Sequence, residues 1–410
     1  MNIKGSVWNA LGSIMWGAQS FIMLTLVSRI APVEQIGWFG IAFTTAQILY
    51  IVGQCGVTHF QMTDYAEKYP FKTYLHSRIL STALMAIGCA GVILCMRFTG
   101  EKALFTVTLT AMMLVHVFGE IYQNLFFQKN RLDLSGSCQF VRTLIPLCAF
   151  IGVLLWTKNI LYAVLAQTVM CVAVTVFYAV VTAKPFLAAA RPAGAGELRA
   201  LATDCLPLFL SMLFMNVMIN TSKYSVEWFM DDAAQGYFNL VFIPAQVINL
   251  CSLFIFKPYL KRYAAALEDP AGGHTFIRLL RRQLLFIAAL TAAACVGAYL
   301  LGAPVLGFFY KQDIFAYAST MALIVFGGGL LAVCQLFYYI LVLCRKQKQI
   351  LILYCAGFAA ALGFSVLFVR RFGLNGAALA FAAAHLVLVC GYVYFIFRYA
   401  VRRKDRDSDA

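Results

Sequence analysis

Along nearly its whole length the sequence alternates apolar stretches of bilayer-spanning length with short polar connections. A membrane-crossing helix needs about 20 apolar residues. Lipid offers unpaired peptide groups no partner, so each such stretch must fold as helix or join a closed barrel. A span-length window finds twelve stretches, at 7–28, 36–60, 75–96, 103–127, 138–157, 159–182, 204–227, 233–256, 276–302, 315–343, 348–369 and 375–397. The fifth and sixth are parted only by Thr157, Lys158 and Asn159. The fold expected is therefore all-α and polytopic.

Composition supports this and removes the alternatives. Apolar residues make up 62% and charged residues 12%, against roughly half and a quarter in soluble domains. A soluble enzyme, a disordered chain and a secreted disulfide scaffold are excluded. The 13 cysteines lie singly in apolar stretches, without a CxxC pair or a neighbouring histidine cluster, and read as buried thiols. No metal site or cofactor is expected. The first sixteen residues lack a cleavage-site pattern and read as the first span.

Placing the N-terminus inside puts 24 of the 32 lysines and arginines in inside loops and seven in outside loops, with Lys223 within a span. That bias predicts cytosolic termini and an even span count. The net charge of +15 is thus read as membrane orientation and not as a nucleic-acid footprint. An internal repeat then divides the chain. Residues 37–49 and 236–248 share five of thirteen positions at the starts of the second and eighth spans: Gly37/Gly236, Phe39/Phe238, Phe43/Phe242, Ala46/Ala245 and Gln47/Gln246. Six intervening spans make the copies enter from the same side, which predicts two parallel six-helix lobes. The lobes are expected at 1–183 and 203–397, joined by a cytosolic linker at 184–202 that carries Pro185 and Pro192, and followed by a basic cytosolic tail at 398–410.

Charged groups inside a bilayer need a partner or a wet cavity. Asn216, Asn220, Lys223 and Glu227 recur at i, i+4, i+7 and i+11, one narrow helical face. The stripe lines a cavity or glues helices together, and Lys223, toward the span's outer end, also suits snorkelling. His116, Glu120, Gln123 and Asn124 share a face of the fourth span. Burial disfavours the charged form of Glu120, which suits reversible protonation shared with His116; a paired Glu bracing the helices is the other reading. Gln47 and Gln54 share a face of the second span. Arg142, near the inner end of the fifth span, and Arg29, at the outer end of the first, suit either anchoring or ligand contact. With Lys223 they favour an anionic ligand such as a phosphate. Trp16, Trp38, Tyr50, Trp228 and Tyr237 suit interfacial anchoring or stacking on sugars.

No HExxH, GxSxG or Walker-type motif occurs, so no catalytic residue is assigned. Without a P-loop, transport must draw on an ion gradient or the membrane potential.

Several local features together resemble the polysaccharide transporter family, the lipid-linked oligosaccharide flippases of the MOP exporter superfamily. They are Asn9 near the start of span one, Ser28-Arg29 leading to Gln35, Ile36, Gly37, Trp38, Phe39 and Gly40, and Gln54, Cys55, Gly56 and Val57 closing span two. The segment from Gly236 to Gln246 is similar to that family's second repeat. Where the family commonly writes Leu-Gly after Ser-Arg, this chain has Ile30, Ala31 and Pro32. The resemblance implies a MATE-like fold and an alternating-access flippase. It would carry an undecaprenyl-pyrophosphate-linked oligosaccharide across the bacterial cytoplasmic membrane through a cationic cavity between lobes.

Substrate-binding candidates are Arg29, Gln47, Arg142, Asn216, Asn220, Lys223 and Gln246, and coupling candidates are Glu120 and His116. Arg29 comes from family analogy. Expected partners are the lipid-linked oligosaccharide, membrane lipids and glycosyltransferases or a polymerase of the same pathway, and no nucleic acid. Two other functions are weighed. A multidrug or cation antiporter of the same superfamily needs an acidic cavity, and a membrane polysaccharide polymerase needs a large external loop where this chain has only short ones.

Overall fold

The computed structural model describes residues 3–64, 67–187, 194, 196–256, 259, 262–263, 265–266, 273–344 and 346–408. Every regular element among them is helical. The chain forms two compact units, Met1–Leu213 and Phe214–Ala410.

The first unit contains α1 (Ile3–Ile30), α2 (Val33–Gln54), the short α3 (Val57–Thr63), α4 (Phe71–Met96), α5 (Gly100–Gln128), α6 (Leu132–Thr157), α7 (Ile160–Phe177), which runs on as a π turn, and the single-turn α8 (Lys184–Leu187). Prolines set two starts: Pro32 and Pro70 sit in extended backbone immediately before α2 and α4. The three-residue gap expected between the fifth and sixth spans is a true break. Lys158 adopts the left-handed conformation at φ 56°, and Asn159 caps α7 by accepting a bond from Tyr162 N at 3.2 Å.

Helices α2 and α5 form the buried centre, while α4 presents Leu80, Leu84, Ile87 and Leu94 on an exposed stripe suited to acyl chains. Hydroxyls along the spans bond back to the carbonyl four residues earlier, as Thr106 does to Lys102 O and Thr168 to Val164 O. Small residues bring α1 and α6 together. A Cβ at Gly136 would fall 2.3 Å from Asn9 N, so only glycine permits that approach.

The second unit begins inside α9 (Glu197–Phe229), later than the expected start at 203. The early turns of α9 belong to the first unit because they are fastened to it. Leu201 and Cys205 pack with Val57, Tyr69 and Tyr74, and Thr73 donates to Glu197 at 2.8 Å. Linker residues 188–193 and 195 lie outside the described residues, as do the side chains of the tail.

Then come α10 (Asp232–Phe256), α11 (Gly273–Gly297), the short α12 (Ala303–Tyr310), α13 (Ala318–Leu343) and α14 (Gln347–Ser408). Helix α13 is the buried centre of this unit. Its Gly327, Gly328 and Gly329 lie against Phe381, Ala245 and Thr291, so three neighbours close on one glycine run. Pro146, Pro207 and Pro244 all sit inside helices.

Among the described residues ten segments are long and apolar enough to cross a bilayer. One of them, Lys348–Ile396, has 49 residues, about 73 Å at the rise of an α-helix. That exceeds two hydrocarbon cores of ~30 Å. It is broken at Gly373, whose φ 56° and ψ −132° no helix contains. Taking its two arms separately and adding α10 brings the span-length helices to the expected twelve.

Candidate functional site

The polar groups of the first unit converge where α2, α4, α5 and α6 meet. Tyr50 and Gln54 lie one turn apart on α2. The left-handed pair Cys55 and Gly56 then turns the chain into α3, which carries Thr58 beside them. Opposite, α5 supplies Glu120. Its carboxylate accepts from Tyr50 Oη, from Gln54 Nε2 at 3.0 Å and from Thr58 Oγ1 at 3.1 Å. The Thr58 hydroxyl in turn accepts from Arg78 Nη2 at 2.9 Å, while Arg78 Nη1 donates to Gly53 O at 2.8 Å. Carboxylate, hydroxyl and guanidinium thus form a continuous chain, with Arg78 only 1% exposed.

A second buried guanidinium lies on the other side of α5. Arg142 of α6 crosses that helix at Gly119 and donates Nη2 to His116 O at 2.5 Å. A Cβ at Gly119 would sit 2.6 Å from Arg142 Cζ. Trp16 of α1 packs edge-on against His116 and tilts against Tyr50. Buried without a hydrogen-bond partner here are His116 Nε2, Asn124 Nδ2, Arg78 Nε and Arg142 Nε. Unpaired buried polar atoms are costly. Two guanidinium groups against one carboxylate leave the cluster positively biased.

The candidates from the sequence distribute unevenly. Glu120, His116 and Arg142 come together in this cluster, joined by Gln54. No hydrogen bond links His116 to Glu120 among the contacts described; the histidine faces Trp16. Gln47 is half-buried on α2, two turns before Gln54. Arg29 is exposed in the last turn of α1, where its charge complements the helix dipole. It lies about 20 Å along the axis from Trp16.

In the second unit, Asn220 and Lys223 are buried and Asn216 and Glu227 are half-buried. The polar stripe of α9 is therefore wholly or partly covered by protein. Asn220 Nδ2 donates to Asn216 O at 2.9 Å, and the Lys223 ammonium stands 4.5 Å above the Phe242 ring. The side chain of Gln246 lies outside the described residues.

Sequence reasoning missed Arg78, Thr58 and Gly119. Arg78 falls inside the expected third span at 75–96 but close to its inner end, where it reads as part of the inner positive charge; Pro70 starts α4 at Phe71 and carries Arg78 two turns into the helix. The signal that finds it is Ser81 and Thr82, polar one turn further on the same face.

The architecture is shared with solved structures. Over 98% of this chain and 96% of the other, the structure resembles the inward-facing conformation of a multidrug resistance MATE family transporter of the MOP superfamily, with TM-score 0.74 and 12% identity. The lipid II flippase MurJ in an inward closed conformation matches at TM-score 0.73 and 12% identity, over 95% and 87% of the two chains. A MOP superfamily transporter from Pyrococcus furiosus, described as having a binding pocket of reversed polarity, matches at TM-score 0.59 and 15% identity, over 97% and 95%. No curated protein matches the sequence significantly. The family model described as polysaccharide biosynthesis protein matches residues 3–264, and the chain belongs to that family. Its fold is the one those MOP superfamily structures share, and its many span-length apolar helices make it a multi-pass membrane protein.

Proposed function

We propose that the protein is a flippase that moves an undecaprenyl-pyrophosphate-linked oligosaccharide across the bacterial cytoplasmic membrane by alternating access, for surface polysaccharide biosynthesis. The observation that carries this reading is the pair of buried guanidinium groups, Arg78 and Arg142, set against the single carboxylate of Glu120. Guanidinium groups bind phosphate oxygens through paired charge-assisted hydrogen bonds. Lys223 adds a buried cation in the second unit. Glu120 is the coupling group in this reading: its protonation would weaken its bonds to Tyr50, Gln54 and Thr58 and, through Thr58, loosen the link to Arg78. His116 shapes the site as a neighbour of Arg142.

The antiporter alternative asks for carboxylates that face a cation, and Glu120 is instead occupied by Tyr50, Gln54 and Thr58. The polymerase alternative finds no external loop large enough to hold a catalytic site. Glycosyltransferases of the same pathway supply the substrate, and a polymerase or ligase consumes it.

The test is a deletion strain complemented with Arg142→Ala or Lys223→Ala. Loss of surface polysaccharide, with unflipped lipid-linked units accumulating and the protein still in the membrane, is the expected result. Full export by the double variant rejects the reading.

A further inference from the structure

One end of the second unit holds a cavity of about 550 Å³ that the phosphate chemistry above does not use. That volume lies within the ~300–1,000 Å³ typical of small-molecule sites. Three separated segments build it: the α9–α10 turn, the turn that opens α13, and the break at Gly373 in α14. The break is needed. At φ 56° and ψ −132° Gly373 holds a conformation that side-chain-bearing residues avoid, and it turns Leu374 and Asn375 into the cavity wall.

The lining has two characters. Tyr237 and Tyr317 pack with ring centroids 4.7 Å apart at 33°, and with Phe229 they give an apolar aromatic surface. Both tyrosines are half-buried, unlike the exposed Trp228, Phe315 and Phe372 nearby, which suit interfacial anchoring. The polar groups are already oriented by the protein. Asn375 Oδ1 accepts from Thr320 Oγ1 at 2.7 Å, which leaves its amide N–H groups as donors. Asp231 Oδ1 accepts from Ala234 N at 2.7 Å, which leaves Oδ2 as an acceptor.

A flat aromatic surface beside one fixed donor and one fixed acceptor complements a pyranose ring, which has an apolar C–H face and a rim of hydroxyls. The charge also suits a neutral ligand. Asp231 caps the positive end of the α10 dipole, and the Arg370 guanidinium lies 4.6 Å from the Phe229 ring. Asp231 is thus engaged by the start of α10, and a cation already stands near the aromatic wall.

We propose that this cavity is a saccharide-binding subsite that holds part of the glycan at the end of the unit which the charge bias assigns to the outside. The proposal rests on the flippase reading for its biological ligand but not for its chemistry. The experiment titrates the full-length protein in lipid nanodiscs with maltotriose and with chitotriose, read by saturation-transfer NMR on the sugar protons. Saturable binding of at least one probe is expected. It should weaken about tenfold or more in Tyr317→Ala and in Asn375→Ala, and persist in Tyr317→Phe, which keeps the ring.

Asn375 is exposed, so its variant tests the site even where Tyr317→Ala fails to fold. Binding of neither probe by the parent protein overturns the proposal, as does parent-like binding in Asn375→Ala. Displacement of the sugar by tetraphenylphosphonium that disappears in Asp231→Asn also overturns it, in favour of an organic-cation site. Absent sugar binding in a protein that still exports polysaccharide removes the subsite alone. Sugar binding in a protein that flips no lipid-linked glycan removes the flippase reading alone.

Discussion

The two units differ in the described polar bonds that tie their helices together. In the first, side chains bond across helices: Tyr50 and Gln54 of α2, Thr58 of α3 and Arg78 of α4 are tied to Glu120 of α5, and Arg142 of α6 is tied to the backbone of α5. In the second, Asn220 bonds to Asn216 O and Asn239 to Gln235 O along their own helices, and Thr320 of α13 donates to Asn375 Oδ1 of α14. There the helices are held by volume, through the glycine run of α13 and a core rich in Tyr263, Tyr354 and Tyr392. Among the described contacts, a buried carboxylate–guanidinium network marks the first unit and close glycine packing the second.

The largest effect expected of this contrast is on stability. Glu120→Ala removes the acceptor of three donors and strands Arg78, and deletion of one partner from a buried charged network costs about 3–5 kcal/mol. A large fall in the thermal midpoint of the detergent-solubilised protein is expected, and a smaller one for Glu120→Gln, which keeps an acceptor oxygen. An unchanged midpoint in the Ala variant breaks the contrast.

Next comes activity. Arg142→Ala should reduce flipping of a lipid-linked glycan in proteoliposomes by about 2–5 kcal/mol of lost charge contact, which is more than ~30-fold at the lower figure. Gly119→Ala should act in the same direction through sterics alone, because its Cβ meets the guanidinium. Normal flipping in Gly119→Ala shows that the position of Arg142 does not matter.

These two variants also mark what the sequence could and could not convey. The face of α5 bearing His116 and Glu120, the repeat, the twelve spans and the inward turn of Asn220 and Lys223 follow from periodicity and the cost of charge in lipid. The partners of those residues do not, because a bond such as that from Arg142 to His116 O depends on which helices become neighbours. Gly119 is legible only once Arg142 is known to cross there. The start of the second unit at Phe214 was hidden for a similar reason. Composition shows a linker at 184–202, but the packing of Leu201 and Cys205 decides where the first unit ends.

A third change probes the second unit by volume. Gly328→Ala would place a Cβ 2.9 Å from Ala245 Cα, a backbone atom that cannot step aside. Overpacking of this kind costs about 1–3 kcal/mol, with no change in charge. A lowered midpoint that is insensitive to salt and pH is expected. A neutral result indicates that α10 and α13 are free to separate, and the second unit then does not depend on close packing.

The smallest effect is predicted where the first unit grips the start of α9. Lys68 Nζ meets Asp204 Oδ2 at 2.7 Å and Tyr69 Oη donates to the same oxygen at 2.9 Å, all near the surface. The bonds to Asp204 and then to Tyr69 hold the Lys68 ammonium above its ordinary pKa. A raised value means that the contact contributes fully at neutral pH and is lost only as pH climbs through the lysine range and beyond. Exposure and screening keep it weak, so Lys68→Ala should move the midpoint little at low salt and not at all at high salt. Because the apolar contacts of Leu201 and Cys205 lie beneath, they carry the attachment. A large, salt-independent loss in Lys68→Ala shows instead that the first unit holds α9 by charge at its surface as well as in its core.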